Sequence, residues 1–454
     1  MVLAVQPNLS DEEIGQLLDR LRNQGVTALV GTFLDNSGVA RAKQVPLERV
    51  AAFHRVGLGA SYSWAVWASD DNLMMGPNFS VTGDMRMRAD LSAIRNLGEG
   101  LAWAPLDLYD QDGQPLDHCA RGILRRRQAE LADQGIDGLA SFEIEFTWFD
   151  AVTGEVGGGP AYGLRAMMDN EAFFADISAA FGVAGLTIEQ LHPEAGLGQI
   201  ELTMAPVSPL EAADALVLAR LILCRVGRRH HKDLSFSPSS LAEGIGNGAH
   251  LHFSLCRDGL PLFSGGDHVR GLTTDGAHAI AGLLQWLPES LGILAPSLLS
   301  ASRLQPGKWS GAWICWGVEN REAAVRLCQA TTGNPYGANV EIKVTDHTIN
   351  PYAAVAVILG LAQRGIEQCL DLPNEAPPNP NTLSDDERRV LHLHVFDTDQ
   401  RRNLDATVHS DVLASLLGVT MLDIVEAVRR REIDVAATQN IERLIEDFRF
   451  TWSS

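Results

Sequence analysis

From Ser141 onward, the stretch Leu139-Ala-Ser-Phe-Glu-Ile-Glu-Phe-Thr-Trp148 alternates polar and apolar residues with a period of two, the pattern of a strand buried on one face. Phe142, Ile144, Phe146 and Trp148 share one side. Glu143 and Glu145 share the other, roughly 7 Å apart along the backbone. Three further stretches repeat the pattern. In Gln199-Ile-Glu-Leu-Thr-Met204 the residues Ile200, Leu202 and Met204 oppose Gln199, Glu201 and Thr203. In His250-Leu-His-Phe-Ser-Leu255 the two histidines and Ser254 oppose Leu251, Phe253 and Leu255. In Val340-Glu-Ile-Lys-Val-Thr345 the polar side carries Glu341, Lys343 and Thr345. Ahead of the second strand, His192-Pro-Glu194 and Gly196-Leu-Gly198 place another carboxylate on a tight, glycine-rich loop.

A single polar strand face is usually only the wet side of a sheet. Four such faces carrying Glu or His, where Lys, Ser or Thr would serve as well, point instead to a shared polar lining. Crowded carboxylates repel one another unless a cation neutralises them. Oxygen ligands with one or two imidazoles suit Mg²⁺ or Mn²⁺ and argue against zinc or an iron–sulfur cluster. Two hard metals beside basic residues are what phosphoryl transfer requires. The basic candidates are Arg303 and the pair in Asn320-Arg-Glu-Ala-Ala-Val-Arg326, although arginines are as often structural as functional. No Walker A motif or Rossmann fingerprint is present, so any nucleotide must be held another way.

Outward from these strands the chain falls into two parts. Ser10-Asp-Glu-Glu13 is a capping box that opens a helix running to about Asn23. Strands over 26–30 and 39–45 flank the hairpin turn Asp35-Asn-Ser-Gly38, and turn-rich strand segments continue to about Asp117. A small β-rich domain over residues 1–117 is expected. From Cys119 a helix over 121–134 leads into the 139–149 strand, and helices such as 209–230 then alternate with strands to suggest a larger α/β domain over 118–454. Pro373 to Pro380 is a surface loop, and amphipathic helix returns from Ser384.

Composition narrows the function classes. The 454 residues are too many for one ordinary core. The net charge of −21 repels phosphate backbones and anionic lipid, which argues against nucleic-acid and membrane partners. The same field draws in cations, amines and metals included, or serves solubility alone. Six scattered cysteines without a CxxC pair are expected to be reduced thiols in a cytoplasmic protein. No signal peptide is visible at the start of the chain, and apolar runs such as 353–362 are about half the ~20 residues a membrane helix needs.

The order of these segments resembles glutamine synthetase. The matching residues are Glu143 and Glu145, His192 to Glu201, Asn247 to Leu255, Glu319 to Arg326, Asn339 to Asp346 and Asn350-Pro-Tyr352. The resemblance covers essentially the whole chain. It implies an α+β fold, with a small β-grasp-like N-terminal domain and a catalytic domain whose curved antiparallel sheet forms a funnel. It also implies a ring-shaped homo-oligomer, usually a dodecamer, with each site shared between neighbours. Carried over by position, Glu145, Glu194 and Glu201 would hold a metal near glutamate, and Glu143, His250 and Glu341 a metal bridging the ATP phosphates. Gly246 and Arg303 lie where the family binds glutamate, Arg321 and Arg326 where it grips phosphate, and His252 and Ser254 beside the nucleotide. The implied reaction is phosphorylation of the glutamate γ-carboxylate by ATP, followed by attack of an amine on the acyl phosphate.

Departures from the family define the expected acceptor. Where glutamine synthetases carry Asp-Gly-Ser-Ser to help bind ammonium, this chain reads Gly59-Ala-Ser-Tyr-Ser-Trp-Ala-Val-Trp67 without an acid. The flap glutamate six residues beyond the arginine matched by Arg303 is Trp309 here, and the family's arginine two residues after the metal glutamate is Lys343. The pattern is similar to the actinobacterial branch that γ-glutamylates polyamines or related amines. A true glutamine synthetase and a non-catalytic relative remain the alternatives at this level. With Tyr62, Trp64 and Trp67 on the entering loop and Trp309 at the flap, an alkyl-bearing amine is the expected substrate, although Trp64 and Trp67 are equally at home as core residues of the small domain.

Overall fold

The computed structural model describes residues 6–76, 79 and 82–453; the opening residues, read above as carrying no leader, lie outside this set. The capping box forms as expected. Ser10 and Glu13 bond reciprocally at the start of the Asp11–Asn23 helix, whose Ile14, Leu17 and Leu21 are buried. Ala28–Leu34 and Ala40–Pro46 pair antiparallel. The turn between them is held by Asp35, whose Oδ1 accepts from Ser37 N at 2.9 Å and Val39 N at 3.0 Å. Leu101–Tyr109 runs parallel to the first of these strands, and Asp84–Ala89, Leu58–Ser61 and the short Arg95–Asn96 complete the sheet. Its core draws on residues between Ile14 and Cys119.

The larger sheet is ordered Trp313–Val318, Ala323–Cys328, Asn339–Ile342, Ala249–Arg257, Ile136–Asp150, Gln199–Met204, Ile188–Pro193. Along this order only the first pair is parallel. Helix–strand alternation therefore does not produce a parallel sheet, because successive strands return antiparallel on either side of the helices. Phe142, Ile144, Phe146, Ile200, Leu202, Leu251, Phe253 and Val340 are all at most 2% exposed. They enter one core with the helices Ala120–Asp133, Pro209–Arg229, Thr274–Trp286 and Pro351–Glu367. Burying that face turns the alternate residues, Glu143, Glu145, Glu201, His250 and His252, to the opposite side. The fourth strand is shorter than its sequence pattern predicts. It ends at Ile342, and Lys343 lies in the turn that follows.

The two sheets meet at a buried ionic cluster. Arg121 donates to Asp214 at 2.9 and 2.8 Å, to Asp90 at 2.8 Å and to Asp107 at 3.2 Å, while Arg125 reaches Asp107 at 2.7 Å. Tyr352 donates to Asp214 at 2.8 Å. No helix among the described residues is long and apolar enough to cross a membrane.

Candidate active site

A cavity of about 320 Å³ opens on the polar face of the larger sheet. Glu143, Glu145, Glu194, Glu201, Gly246, His250, Arg303, Trp309, Arg321 and Lys343 line it, so most of the sequence-predicted residues converge. Glu341, His252 and Arg326 sit behind Glu143 and are linked to it through the histidines. Ser254 shares the face of His252 but does not reach the cavity.

Register explains the convergence. Glu143 lies across from His250, Glu145 from Glu201, and His252 from Glu341. Glu143 accepts from His250 Nδ1 at 3.1 Å and lies 3.1 Å from His252 Nε2. Burial would raise its carboxyl, but the two imidazoles outweigh burial and hold it well below the usual carboxylate range. Glu341 is fully buried. Burial again acts upward, but Lys343 Nζ at 2.9 Å and His252 bring it to about 2, and Arg326 Nη1 donates to it at 3.0 Å. Glu145 is the opposite case. Burial and the Glu201 carboxylate push it up to about 8. Glu201 is likewise raised by burial, against the pull of His192 at 3.4 Å.

This donor set fits hard divalent cations. Glu145, Glu194 and Glu201 line one side of the cavity; burial and neighbouring carboxylates raise Glu145 and Glu201, a cost that a bound cation would relieve. His250 Nε2 is buried without a hydrogen-bond partner, and Gly248 leaves room beside it, since a Cβ there would lie 2.3 Å from that nitrogen. On the other side, Glu143, Glu341 and His252, not His250, offer ligand atoms within 4.8 Å of one another. The side chains thus bring both histidines to the Glu143–Glu341 pair.

Other placements differ from the sequence expectation. Arg303 is 3% exposed; its guanidinium donates to the carbonyls of Lys343, Val344 and Thr345, bracing the turn that carries Lys343, while the side chain also lines the cavity. Arg321 is exposed and makes no ion pair among the described residues. Tyr62, Trp64 and Trp67 do not line the cavity of their own chain; Lys43 Nζ sits 4.7 Å from the Trp64 ring and the Arg41 guanidinium 5.7 Å from that of Trp67. Trp309 is 55% exposed with φ +53° on the loop over the cavity, and Gly307 N of that loop donates to Glu322 at 3.1 Å.

Sequence reasoning missed Tyr162 and Ile245, both on the cavity wall and both exposed. Burial of its hydroxyl and the Glu194 carboxylate push Tyr162 up to about 12. It arrives on a loop with no periodicity, so no local signal could have found it. His192 was visible in its motif without a role, and its contact with Glu201 raises it to about 9.

The catalytic-domain family of glutamine synthetase matches residues 117–448. A γ-glutamylpolyamine synthetase, GlnA3, of Streptomyces coelicolor is 35% identical over 435 residues, which is 93% of this chain and 92% of that protein. A glutamine synthetase of Pyrococcus horikoshii is 27% identical over 85% of each. A solved glutamine synthase homologue superposes with a TM-score of 0.85 at 28% identity, covering 94% of this chain and 99% of that one. A GmaS–ADP complex superposes with a TM-score of 0.82 at 24% identity, covering 94% and 97%, and bears on the fold alone. With a match of this extent and the motif residues gathered in one cavity, the chain belongs to the glutamine synthetase family.

Proposed function

We propose that this protein is an ATP-dependent ligase that joins the γ-carboxylate of glutamate to an amine through γ-glutamyl phosphate, and that it prefers a polyamine or small alkylamine to ammonium. The observation that carries the amine assignment is the wall of the cavity. Trp309, Tyr162 and Ile245 stand there around Glu145, Glu194 and Glu201. Ammonium is small and strongly hydrated, so a site must offer charge and several acceptors to replace its water. An alkylamine also gains about 0.8 kcal/mol per buried methylene and about 0.5–2 kcal/mol for each aromatic face beneath its charge. The γ-glutamylpolyamine synthetase relative in S. coelicolor agrees with this reading.

Each residue has a task in the proposal. Glu145, Glu194 and Glu201 would hold one Mg²⁺ or Mn²⁺, and Glu143, Glu341 and His250 or His252 a second. Such ions, when bound, neutralise charge on the transferred phosphoryl group. Gly246 keeps bare backbone at the cavity wall, because a Cβ there would meet Pro238 O at 2.1 Å; this suits close approach of glutamate. Arg321, exposed and without an ion pair among the described residues, is the candidate to bind phosphate oxygens. Lys343, fixed by Glu341, faces the glutamate end, and Arg303 acts through the turn that it braces. His252, Ser254 and Arg326 border the nucleotide.

We extend the proposal to a cytoplasmic, ring-shaped dodecamer, supported by the Gly59–Trp67 segment, whose Tyr62, Trp64 and Trp67 do not line the cavity of their own chain. Light scattering that finds only monomer overturns that part. For the reaction, phosphate release should depend jointly on glutamate, ATP and amine, with spermine, putrescine or a small alkylamine well above ammonium. Trp309→Glu should narrow the gap. Ammonium proving the best acceptor for the wild-type protein would refute the amine assignment.

A further inference from the structure

We propose that His347 is a positioning residue that fixes the Glu145 carboxylate by changing which hydrogen bonds its strand makes; this rests on the reading of Glu145 as a metal ligand. The ladder between Ile136–Asp150 and Ala249–Arg257 extends to the pair Ile144 and Ala249. The next rung joins Glu145 and Gly248, which in a regular antiparallel ladder exchange two bonds. Only one is made, from Glu145 N to Gly248 O at 3.1 Å. Gly248 N turns to the side chain instead and donates to Glu145 Oε2 at 2.6 Å. The Glu145 carbonyl, deprived of its ladder donor, accepts from His347 Nε2 at 3.0 Å.

That substitution of donors needs a histidine held in place. His347 is fully buried, its ring lies edge-on to Phe236 at 4.9 Å, and Arg220 Nη1 donates to its carbonyl at 3.2 Å. A carbonyl only accepts, so Nε2 carries the proton, and Nδ1 is left buried without a hydrogen-bond partner. Such a ring is retained for the bond it does make. Leaving a buried carbonyl unpaired is costly. Without His347, Gly248 N–H therefore returns to the Glu145 carbonyl and releases the carboxylate.

The test is Mn²⁺ binding to metal-free protein without nucleotide or glutamate, followed by the electron paramagnetic resonance signal of free Mn²⁺, alongside thermal unfolding. His347→Leu should weaken one Mn²⁺ site about 10–100-fold, the usual effect of losing a group that orients a metal ligand. His347→Gln, whose amide reaches the Nε2 position, should restore most of the affinity at a similar Tm. His347→Asn, whose amide reaches only the Nδ1 position, should behave as Leu and replaces it if Leu does not fold. Wild-type affinity in the Leu or Asn variant, or no recovery in Gln, overturns the role of His347. Glu145→Ala should abolish the same site; if it leaves Mn²⁺ stoichiometry unchanged, the assignment of Glu145 is what fails.

Discussion

Replacing Arg121 by Met should unfold the junction between the two sheets more readily than any change at the cavity. Arg121 is 3% exposed and bonds Asp90, Asp107 and Asp214 at 2.8–3.2 Å. With Arg125, the cluster holds three carboxylates against two guanidiniums; without Arg121 it holds three against one. Breaking a buried pair by removing one partner costs about 3–5 kcal/mol, because the stranded charge keeps its desolvation penalty. The pH dependence has a definite sign. In the wild type, burial tends to raise Asp90, but Arg121, Ser92 and Arg125 together outweigh burial and the carboxyl sits below its ordinary value. Its stabilisation is present above the ordinary carboxylate pKa and is lost as pH falls through the lowered one. In the variant the buried Asp90 loses its main counter-charge and burial raises it, so the variant loses stability as pH increases through that range. Urea unfolding followed by tryptophan fluorescence at about pH 5 and about pH 8 should show the gap widening toward pH 8. Asp214→Asn in the Arg121→Met background should return part of the loss. A deficit under about 1 kcal/mol at pH 8, or a gap equal at both pH values, would refute the reasoning.

Phosphate release should need Mg²⁺ or Mn²⁺, and Glu143→Ala or Glu145→Ala should lower it by orders of magnitude with the far-ultraviolet circular dichroism unchanged; full activity in EDTA would contradict this. Gly248→Ala puts a Cβ 2.3 Å from His250 Nε2, so His250 must leave Glu143, and the Mg²⁺ concentration for half-maximal activity should rise about tenfold or more; an unchanged Mg²⁺ titration would count against His250 as a ligand. Glutamate should be the acyl donor in preference to aspartate, and equal turnover with aspartate would remove the basis for placing glutamate at Gly246.

Much of the architecture was legible because it is local. A period of two over Ser141 to Trp148 commits Phe142, Ile144 and Phe146 to a core and Glu143 and Glu145 to the other face, whatever the strand pairs with. The capping box at Ser10–Glu13 marks a helix start for the same reason. The alternating strand faces and the overall family were therefore within reach of sequence.

What meets what was not. That Glu145 faces Glu201, or His252 faces Glu341, depends on strand register across segments far apart in the chain. That the Arg303 guanidinium turns onto three carbonyls, that Tyr162 closes the cavity wall, and that His347 completes the Glu145 rung all depend on loops whose path no periodicity encodes. Arg121 reads as one more helical arginine until Asp90, Asp107 and Asp214 are brought around it. Sequence by itself determined the faces of strands and the ends of helices, because backbone geometry sets these within a few residues. Only the tertiary structure decided which polar groups share a hydrogen bond or a charge, because those energies exist only once distant segments have been packed against one another.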